Sequence, residues 1–342
     1  MSLDDRFDGL LDDLAGYYRT WLVYLGVELG LLHHLRAEGG AGLTADALAE
    51  KAGCGRAPVD GWCRAAYAYG LLERAGGDDL APRFGLDEDL AAILLDPQRP
   101  EYLGGQFIFS VGASLEYGGM VDFFRSGRPV PGRTPRYHRA VERLNEQDIA
   151  VFFEQALPQL PDIEERLRAG TRVLDVACGG GGWLTQLART FPAVRAMGIE
   201  FDEDWLSQAR RRIAEAGLTD RVQLERGDPA QLPGHSYGLV YYQDVLHELP
   251  DPAASLRAAG DALAPGGSIV VLDWCLPGSM EEYRTLLGQL TWGYQLDELF
   301  QGTSLLTRGG FVGLFEAAGL GPPMLIELDA GASLFVARRP AG

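Results

Sequence analysis

The stretch VLDVACGGGGWLTQLARTF, residues 173–191, joins an apolar run to four consecutive glycines and then to a helical pattern. Strand, glycine turn and helix in this order form the first unit of many parallel α/β sheets, where the turn approaches a nucleotide-like ligand. Glycine allows that approach because it has no Cβ. Glycines also mark ordinary turns, so this motif alone leaves a purely structural turn open.

The segments around this motif predict a parallel sheet. From about Thr171 onward, short Val/Ile/Leu runs alternate with helical stretches, which is typical of strand–helix–strand units. We therefore predict an α/β fold with a Rossmann-like, seven-stranded sheet. The predicted strands are 172–176, 194–199, 222–225, 237–242, 268–273, 324–328 and 333–337.

Three acidic residues stand at the first three strands of this predicted sheet. Asp175 lies at the end of the first strand, Glu200 ends the second, and Asp228 follows the third. Ligands of open α/β sheets bind at the carboxyl ends of the strands. Glu200 could accept both hydroxyls of a ribose, and Asp228 could accept a hydrogen bond from an exocyclic amine. The three acids and the glycine turn together predict a site for a nucleoside-like ligand.

A nicotinamide dehydrogenase would share much of this fold. It is expected to carry G-x-G-x-x-G, with helix amides that cradle a pyrophosphate. Here Asp175 precedes Gly179 by four positions and would oppose a phosphate. The acid suits a ligand with an ammonium and a sulfonium and no phosphate.

Residues 165–340 resemble the class I S-adenosylmethionine-dependent methyltransferases. Asp175, Gly179 and Gly181 match that family's D-x-G-x-G-x-G motif, whereas Ala177 replaces the first motif glycine. The resemblance implies S-adenosyl-L-methionine as the cofactor, with S-adenosyl-L-homocysteine as its product. The cofactor-binding residues that it implies are Asp175, Ala177, Cys178, Gly179, Gly181, Glu200, Phe201, Gly227, Asp228, Pro229 and Gln243.

The stretch YYQDVLHELPDP, residues 241–252, follows the fourth strand, and APGGSIVVLDW, residues 264–274, contains the fifth. This layout resembles both ubiquinone-type C-methyltransferases and small-molecule O-methyltransferases. In the latter, the resemblance places His247 as the general base. A neutral imidazole could take the proton of an acceptor hydroxyl, which increases rates ~10²- to 10⁴-fold. Two other roles remain possible for His247, namely capping the following helix and contacting the cofactor. Asp244 and Glu248 are more typical of solvent-facing or helix-capping charges.

Aromatic residues predict the acceptor pocket. Such side chains suit a flat or apolar molecule. The predicted lining residues are Phe107, Tyr117, Phe124, Trp274, Tyr283 and Trp292, and the wider aromatic set adds Phe109, Phe123 and Tyr294. Each could individually be a core or dimer contact instead.

The first hundred residues predict a helical domain of winged-helix order. Helical patterns cover Asp5 to Leu35, the segment after Thr44, and Ala57 to Leu72, and GLLERAGGDDLAPRFGL, residues 70–86, predicts a hairpin. This region resembles the winged-helix dimerisation domain of small-molecule methyltransferases, which implies a homodimer. We predict this domain at 1–100, a helical connector and substrate lid at 101–165, and the methyltransferase domain at 166–342.

Charge argues against a nucleic-acid partner. The 342 residues carry a formal net charge of −18, which repels polyanions, and Arg64 is the only basic residue between Ala57 and Leu72. A cofactor-sensing regulator that binds DNA through the winged helix is therefore the weaker alternative. We predict that the protein transfers a methyl group to an oxygen of a small aromatic or apolar metabolite, and transfer to carbon or nitrogen is the alternative.

Composition excludes several further classes. The four cysteines form no CxxC pair and the five histidines no HExxH motif, so no protein-bound metal is predicted. No apolar run is long enough for a transmembrane helix. The first ten residues, MSLDDRFDGL, carry acids where a secretory signal would carry basic residues, which predicts a cytoplasmic protein.

Overall fold

A computed structural model describes residues 2–130, 132–234 and 236–340. The chain forms two compact units, Met1–Gly118 with Arg133–Gln147, and Gly119–Gly132 with Asp148–Gly342. Residues of the predicted connector thus occur in both units. No helix in the described ranges has the length and apolar character needed to cross a membrane.

The first unit is mostly helical. Its small antiparallel sheet has the order β1–β3–β2. The strands are β1 (Leu43–Thr44), β2 (Glu73–Gly76) and β3 (Arg83–Gly85), and the helices are α1 (Leu3–Glu28), α2 (Leu31–Glu38), α3 (Ala45–Ala52), α4 (Arg56–Ala68), α5 (Glu88–Leu95), α6 (Gly104–Ser114) and α8 (Pro135–Val151) as far as Gln147. Strands β2 and β3 pair as the predicted hairpin.

One expectation for this unit was wrong. The sequence predicted one helix from Asp5 to Leu35, but the structure has two, with the break at Leu29 and Gly30. Gly30 has a φ of 69°, a left-handed conformation that glycine adopts at little cost and that ends a helix. The apolar spacing continues across the break, which is why periodicity alone did not reveal it.

The second unit is built on a seven-stranded sheet of order β6–β5–β4–β7–β8–β10–β9. The first five of its strands along the chain are parallel, and β10 is antiparallel to β8 and β9. The strands are β4 (Arg172–Val176), β5 (Arg195–Glu200), β6 (Val222–Arg226), β7 (Tyr237–Gln243), β8 (Leu263–Asp273), β9 (Met324–Glu327) and β10 (Ser333–Arg338). All seven predicted strands are confirmed, and β8 begins five residues earlier than expected.

Helices flank this sheet. They are α7 (Met120–Ser126), the end of α8, α9 (Pro161–Arg168), α10 (Gly182–Thr190), α11 (Glu203–Glu215), α12 (Pro252–Ala262), α13 (Leu286–Gln301) and α14 (Arg308–Ala317). A five-residue π-helix, Phe152–Ala156, follows α8.

The centre of the sheet is buried on both faces. Val173 of β4 belongs to one apolar cluster with α9 and α10, while Leu174 and Val176 belong to another with α12 and α14. Burial of each such side chain contributes about 1.5–3 kcal/mol relative to exposure. Because the strand interiors are filled with apolar side chains, the polar groups of the sheet are concentrated where the strands end.

Candidate active site

The glycine turn between β4 and α10 keeps a left-handed path. Ala177, Gly179 and Gly181 have φ values of 55°, 52° and 73°. A non-glycine residue costs roughly 1–2 kcal/mol in this conformation. Ala177, which replaces the first glycine of the family motif, therefore retains the backbone conformation of a glycine turn and adds local strain.

Glu200 ties this turn to the end of β5. Its Oε2 accepts a hydrogen bond from the Gly179 N–H at 2.9 Å, and its Oε1 accepts from the N–H groups of Phe201 at 2.8 Å and Asp202 at 2.9 Å. The side chain is buried, with the residue 3% exposed. Each carboxylate oxygen has two lone pairs, so both oxygens retain capacity for a ligand hydroxyl.

Asp175 lies buried beside this carboxylate. Burial, and then the charge of Glu200, raise the pKa of Asp175 well above its usual range. Burial likewise raises the pKa of Glu200, and the three N–H groups that it accepts from oppose that rise. Two carboxyls with raised pKa values in one place favour a ligand that brings positive charge.

The end of β6 brings Asp228 to the surface. Its carboxylate accepts from the Ala230 N–H at 2.9 Å and from Gln231 Nε2 at 3.0 Å, and the residue is exposed. The Gly227 N–H donates to the Glu200 carbonyl at 3.1 Å, which places the two strand ends side by side.

The other residues of the predicted cofactor set differ in exposure. Phe201 is 50% exposed beside Glu200. Gln243, at the end of β7, accepts from the Tyr241 hydroxyl at 3.3 Å, and Pro229 is buried. Cys178 extends the pairing of β4 with β5, because its N–H donates to the Ile199 carbonyl at 3.0 Å.

His247 lies in a short 3₁₀ turn after β7, between two carboxylates. Its Nδ1 is 3.0 Å and 3.1 Å from the two oxygens of Asp273, and its Nε2 is 3.8 Å from Glu298 Oε2. The imidazole is 2% exposed. Burial disfavours its protonation, but the carboxylates of Asp273, Asp244 and Glu248 together outweigh burial and raise the pKa of His247 well above its usual value. The shorter Nδ1 contact directs Nε2 away from Asp273.

Three carboxyl residues of this cluster were not singled out from the sequence. Asp273 ends β8, is fully buried and also accepts from the Trp274 N–H at 2.9 Å. Asp148 accepts from Trp274 Nε1 at 3.0 Å, and its pKa is raised to about 7, mainly by burial. Glu298 lies on α13. An acid at a strand end could have indicated Asp273, whereas no pattern marks Asp148 or Glu298.

The two acids flanking His247 in sequence have different positions. Asp244 is half-buried with a φ of 47°, and its N–H donates to the Leu272 carbonyl at 2.8 Å. Glu248 is exposed. Asp251 caps α12 through the Ala254 N–H at 2.9 Å, so the cap role considered for His247 belongs to Asp251.

The predicted acceptor-pocket aromatics divide between the two units. Trp274, Tyr283, Trp292 and Phe124 belong to the second unit, and Phe107 and Tyr117 to the first. Tyr283 and Trp292 pack edge to face with centroids 5.0 Å apart, and Phe124 is exposed. From the wider set, Phe109 is a buried core residue packed on Tyr137.

Ligand atoms of Asp244, His247 and Asp273 lie within 4.8 Å of one another, as do those of His247, Glu248 and Glu298. Such spacing is compatible with a cation. The sequence expectation that no metal is bound therefore stays a prediction.

The chain is similar to known methyltransferases. Residues 167–304 match the family described as a methyltransferase domain. The chain is 36% identical over 112 residues to 27-O-demethylrifamycin SV methyltransferase of Amycolatopsis mediterranei, covering 32% of the chain and 41% of that protein. It is 32% identical over 114 residues to demethylmenaquinone methyltransferase of Lactiplantibacillus plantarum, covering 32% and 48%. The matches thus span less than half of these curated relatives.

Solved structures are similar over nearly the whole chain. Human N-acetylserotonin methyltransferase has a TM-score of 0.72 at 17% identity, with 99% of both chains covered. Mitomycin 7-O-methyltransferase MmcR has a TM-score of 0.67 at 20% identity, with 98% of both covered. At this level of sequence identity, structural similarity supports a shared fold and nothing more specific. Residues 167–304 therefore resemble a methyltransferase domain, and the chain has the fold of the class I S-adenosylmethionine-dependent methyltransferases.

Proposed function

We propose that the protein transfers a methyl group from S-adenosyl-L-methionine to an oxygen of a small aromatic or apolar metabolite. The observation that carries the proposal is the junction of the glycine turn with Glu200, whose buried carboxylate holds the Gly179 N–H at 2.9 Å at the carboxyl edge of the sheet. This edge is where open α/β sheets bind ligands.

The strand-end residues fit the cofactor's chemistry. Glu200 would hold the ribose hydroxyls, Asp228 the adenine amine, and the Gly179–Gly181 backbone would lie against the amino-acid portion. Phe201, exposed beside Glu200, offers a ring to the adenine. Bound there, the cofactor supplies a methyl group on a sulfonium, and the buried Asp175 favours its positive charge.

His247 would serve the acceptor. The proton of the acceptor hydroxyl passes to Nε2 while Asp273 holds Nδ1 at 3.0 Å, and the oxygen's electron pair forms the bond to the methyl carbon as the carbon–sulfur bond breaks. Trp274, Tyr283 and Trp292 would provide apolar surface that excludes water. Phe124 is a further proposed contact, and the expectation for Phe107 and Tyr117, which belong to the first unit, stays a prediction.

Calorimetric titration with S-adenosyl-L-homocysteine tests the cofactor site. Wild-type protein should bind, and both Glu200→Ala and Asp228→Ala should weaken binding, because each lost hydrogen bond to a charged group contributes about 1.5–3 kcal/mol. Glu203→Gln, an exposed acid on α11, is the matched control and should bind like the wild type. If the wild type does not bind, or Glu200→Ala binds as tightly, the proposal is wrong.

Transfer to carbon or nitrogen is a second candidate, favoured by one observation. The raised pKa of His247 favours the protonated imidazole, which opposes its use as a base. Loss of turnover in His247→Ala with cofactor binding retained would support oxygen transfer. Unchanged turnover would favour the alternative.

We also propose that the protein forms a homodimer through its first unit. Five apolar side chains of α1 are exposed, namely Leu3, Phe7, Leu10, Leu11 and Leu14. A contiguous apolar stripe of this kind marks an interaction surface. Light scattering should show a dimer for the wild type and a monomer for a Leu10→Glu, Leu14→Glu double variant, and a monomeric wild type would contradict the proposal.

The structure gives no support to a DNA-binding role for α4. Its Arg64 is paired with Asp60 at 2.9 Å, one turn earlier on the same helix. A guanidinium engaged in this way is less available to a phosphate. Small-molecule chemistry therefore stays the better interpretation, and the absence of a nucleic-acid partner stays a prediction.

A further inference from the structure

The reaction proposed above leaves a proton on a buried imidazole. His247 is 2% exposed and Asp273, which holds its Nδ1, is 0% exposed. Methyl transfer from a sulfonium to a hydroxyl releases one proton per turnover, so the site needs a route by which that proton leaves. Neither His247 nor Asp273 meets the solvent.

Glu298 faces the other nitrogen. Its Oε2 is 3.8 Å from His247 Nε2, and its side chain is 13% exposed. A nitrogen–oxygen hydrogen bond needs about 2.7–3.2 Å, so a movement of less than ~1 Å would close the gap. Of the side chains of Asp273, His247 and Glu298, that of Glu298 is the most exposed to solvent.

The end of α13 keeps Glu298 in this position. The Thr303 hydroxyl donates to its Oε2 at 2.5 Å, and the N–H groups of Gly302 and Thr303 both donate to its carbonyl at 2.9 Å. Thr303 thus anchors the same carboxylate oxygen that faces His247. The carboxylate is held near the imidazole and is not simply free in solution.

We propose that Glu298 receives the proton from His247 Nε2 and passes it to the solvent. The inference rests on the proposed function, since it assigns the exit of the proton that oxygen methylation releases. In the full step, the acceptor's proton moves to Nε2, its oxygen bonds to the methyl carbon, and the sulfonium becomes a thioether. The Nε2 proton then moves to Glu298 and from there to water, which returns His247 to the form that accepts the next proton.

The electrostatics of the cluster agree with this role. Burial raises the pKa of Glu298, and the neighbouring His247 lowers it. The other titratable groups that face the pair are Asp244, Glu248, Asp273 and Asp297. A carboxyl whose pKa is displaced toward neutrality accepts and releases protons more readily at working pH than an ordinary surface carboxylate does.

Imidazole NMR tests the route without an acceptor. The chain has five histidines, so the ring resonances of His247 can be assigned by their loss in His247→Gln. The readouts are the titration of His247 and the exchange rate of its Nε2–H with water, in protein with S-adenosyl-L-homocysteine. Glu298→Gln should lower the pKa of His247 and slow the exchange about tenfold or more.

Two further variants separate a proton route from a merely structural role. Glu298→Asp keeps the carboxyl group and should restore part of the exchange rate, and it also replaces Glu298→Gln if that variant does not fold. Glu316→Gln removes an exposed acid of α14 and should change neither readout. Unchanged Nε2–H exchange in Glu298→Gln would overturn the inference, whereas absent binding of S-adenosyl-L-homocysteine to the wild type would instead overturn the proposed function.

Discussion

Replacing Asp175 by asparagine should stabilise the ligand-free protein and weaken its affinity for S-adenosyl-L-homocysteine. Burial, and then Glu200, raise the pKa of Asp175 well above its ordinary value. The folded protein therefore binds this proton more tightly than the unfolded chain does, and the stability of the wild type falls as the pH rises from about 4 through the folded-state pKa. Asparagine lacks this titration, so the advantage of the variant is absent below about pH 4 and grows within that window.

The size of the effect follows from linkage. One proton contributes at most about 1.4 kcal/mol per pH unit to the free energy of unfolding. For a unit of roughly 150–250 residues, this corresponds to a rise in Tm of about 3–6 °C per pH unit. The loss of charge removes the attraction for the ligand's ammonium, so stability and binding should change in opposite directions.

Urea unfolding at pH 4, 5, 6 and 7 measures the difference between wild type and Asp175→Asn, and calorimetry measures the affinity. Asp220→Asn, an exposed acid after α11, is the control and should stay within about 0.5 kcal/mol of the wild type at every pH. A stability difference that does not change with pH, or an Asp175→Asn variant that binds as tightly as the wild type, would refute the reasoning.

Three further outcomes are expected. Gly198→Ala should lower the free energy of unfolding by about 1–3 kcal/mol, measured by thermal unfolding, because the added Cβ would lie 2.7 Å from Cys178 Sγ and 2.6 Å from Leu184. Adding Cys178→Ala to this variant should recover part of the lost stability. Turnover should rise with pH above neutrality, because His247 has to lose a proton before it can act as a base and Asp273 holds the pKa of His247 high. A pH–rate profile with its optimum below pH 6 would contradict this expectation. Binding of S-adenosyl-L-homocysteine should release protons at pH 6, because the ammonium group of the ligand lowers the raised pKa values of Asp175 and Glu200. Calorimetry in buffers of different ionisation enthalpy measures this release, and it would detect no proton release if the two acids lie away from the ligand.

Much of the fold could be predicted because local and long-range preferences agree. The five inner strands are largely buried apolar runs, whereas the edge strands β6 and β9 are mostly exposed, and turn or helix signals separate the strands along the chain. The exception is the break at Gly30, where the apolar spacing of α1 continues into α2 and a single left-handed glycine redirects the chain. A pattern that records only polarity does not register a backbone dihedral angle.

The candidate site divides in a similar way. Glu200 and His247 could be found because the chemistry is attached to strand ends, whose place in a parallel sheet follows from chain order. Asp148 and Glu298 come from helices, which approach that edge only through tertiary packing. An acid on a helix is ordinarily a solvated charge, so nothing in its neighbours along the chain distinguishes the one that is buried.

This difference in origin suggests a division of labour. Strand-end residues such as Glu200 are fixed by the hydrogen bonds of the sheet, which makes them suited to hold a cofactor in one defined position. Glu298 is fixed by one helix end and one threonine, so its position relative to His247 can change with a few substitutions in α13 and leave the sheet intact. Under the proposed function, the acceptor and its proton would be handled by the part of the site that is easiest to vary, which would let one sheet serve different methyl acceptors.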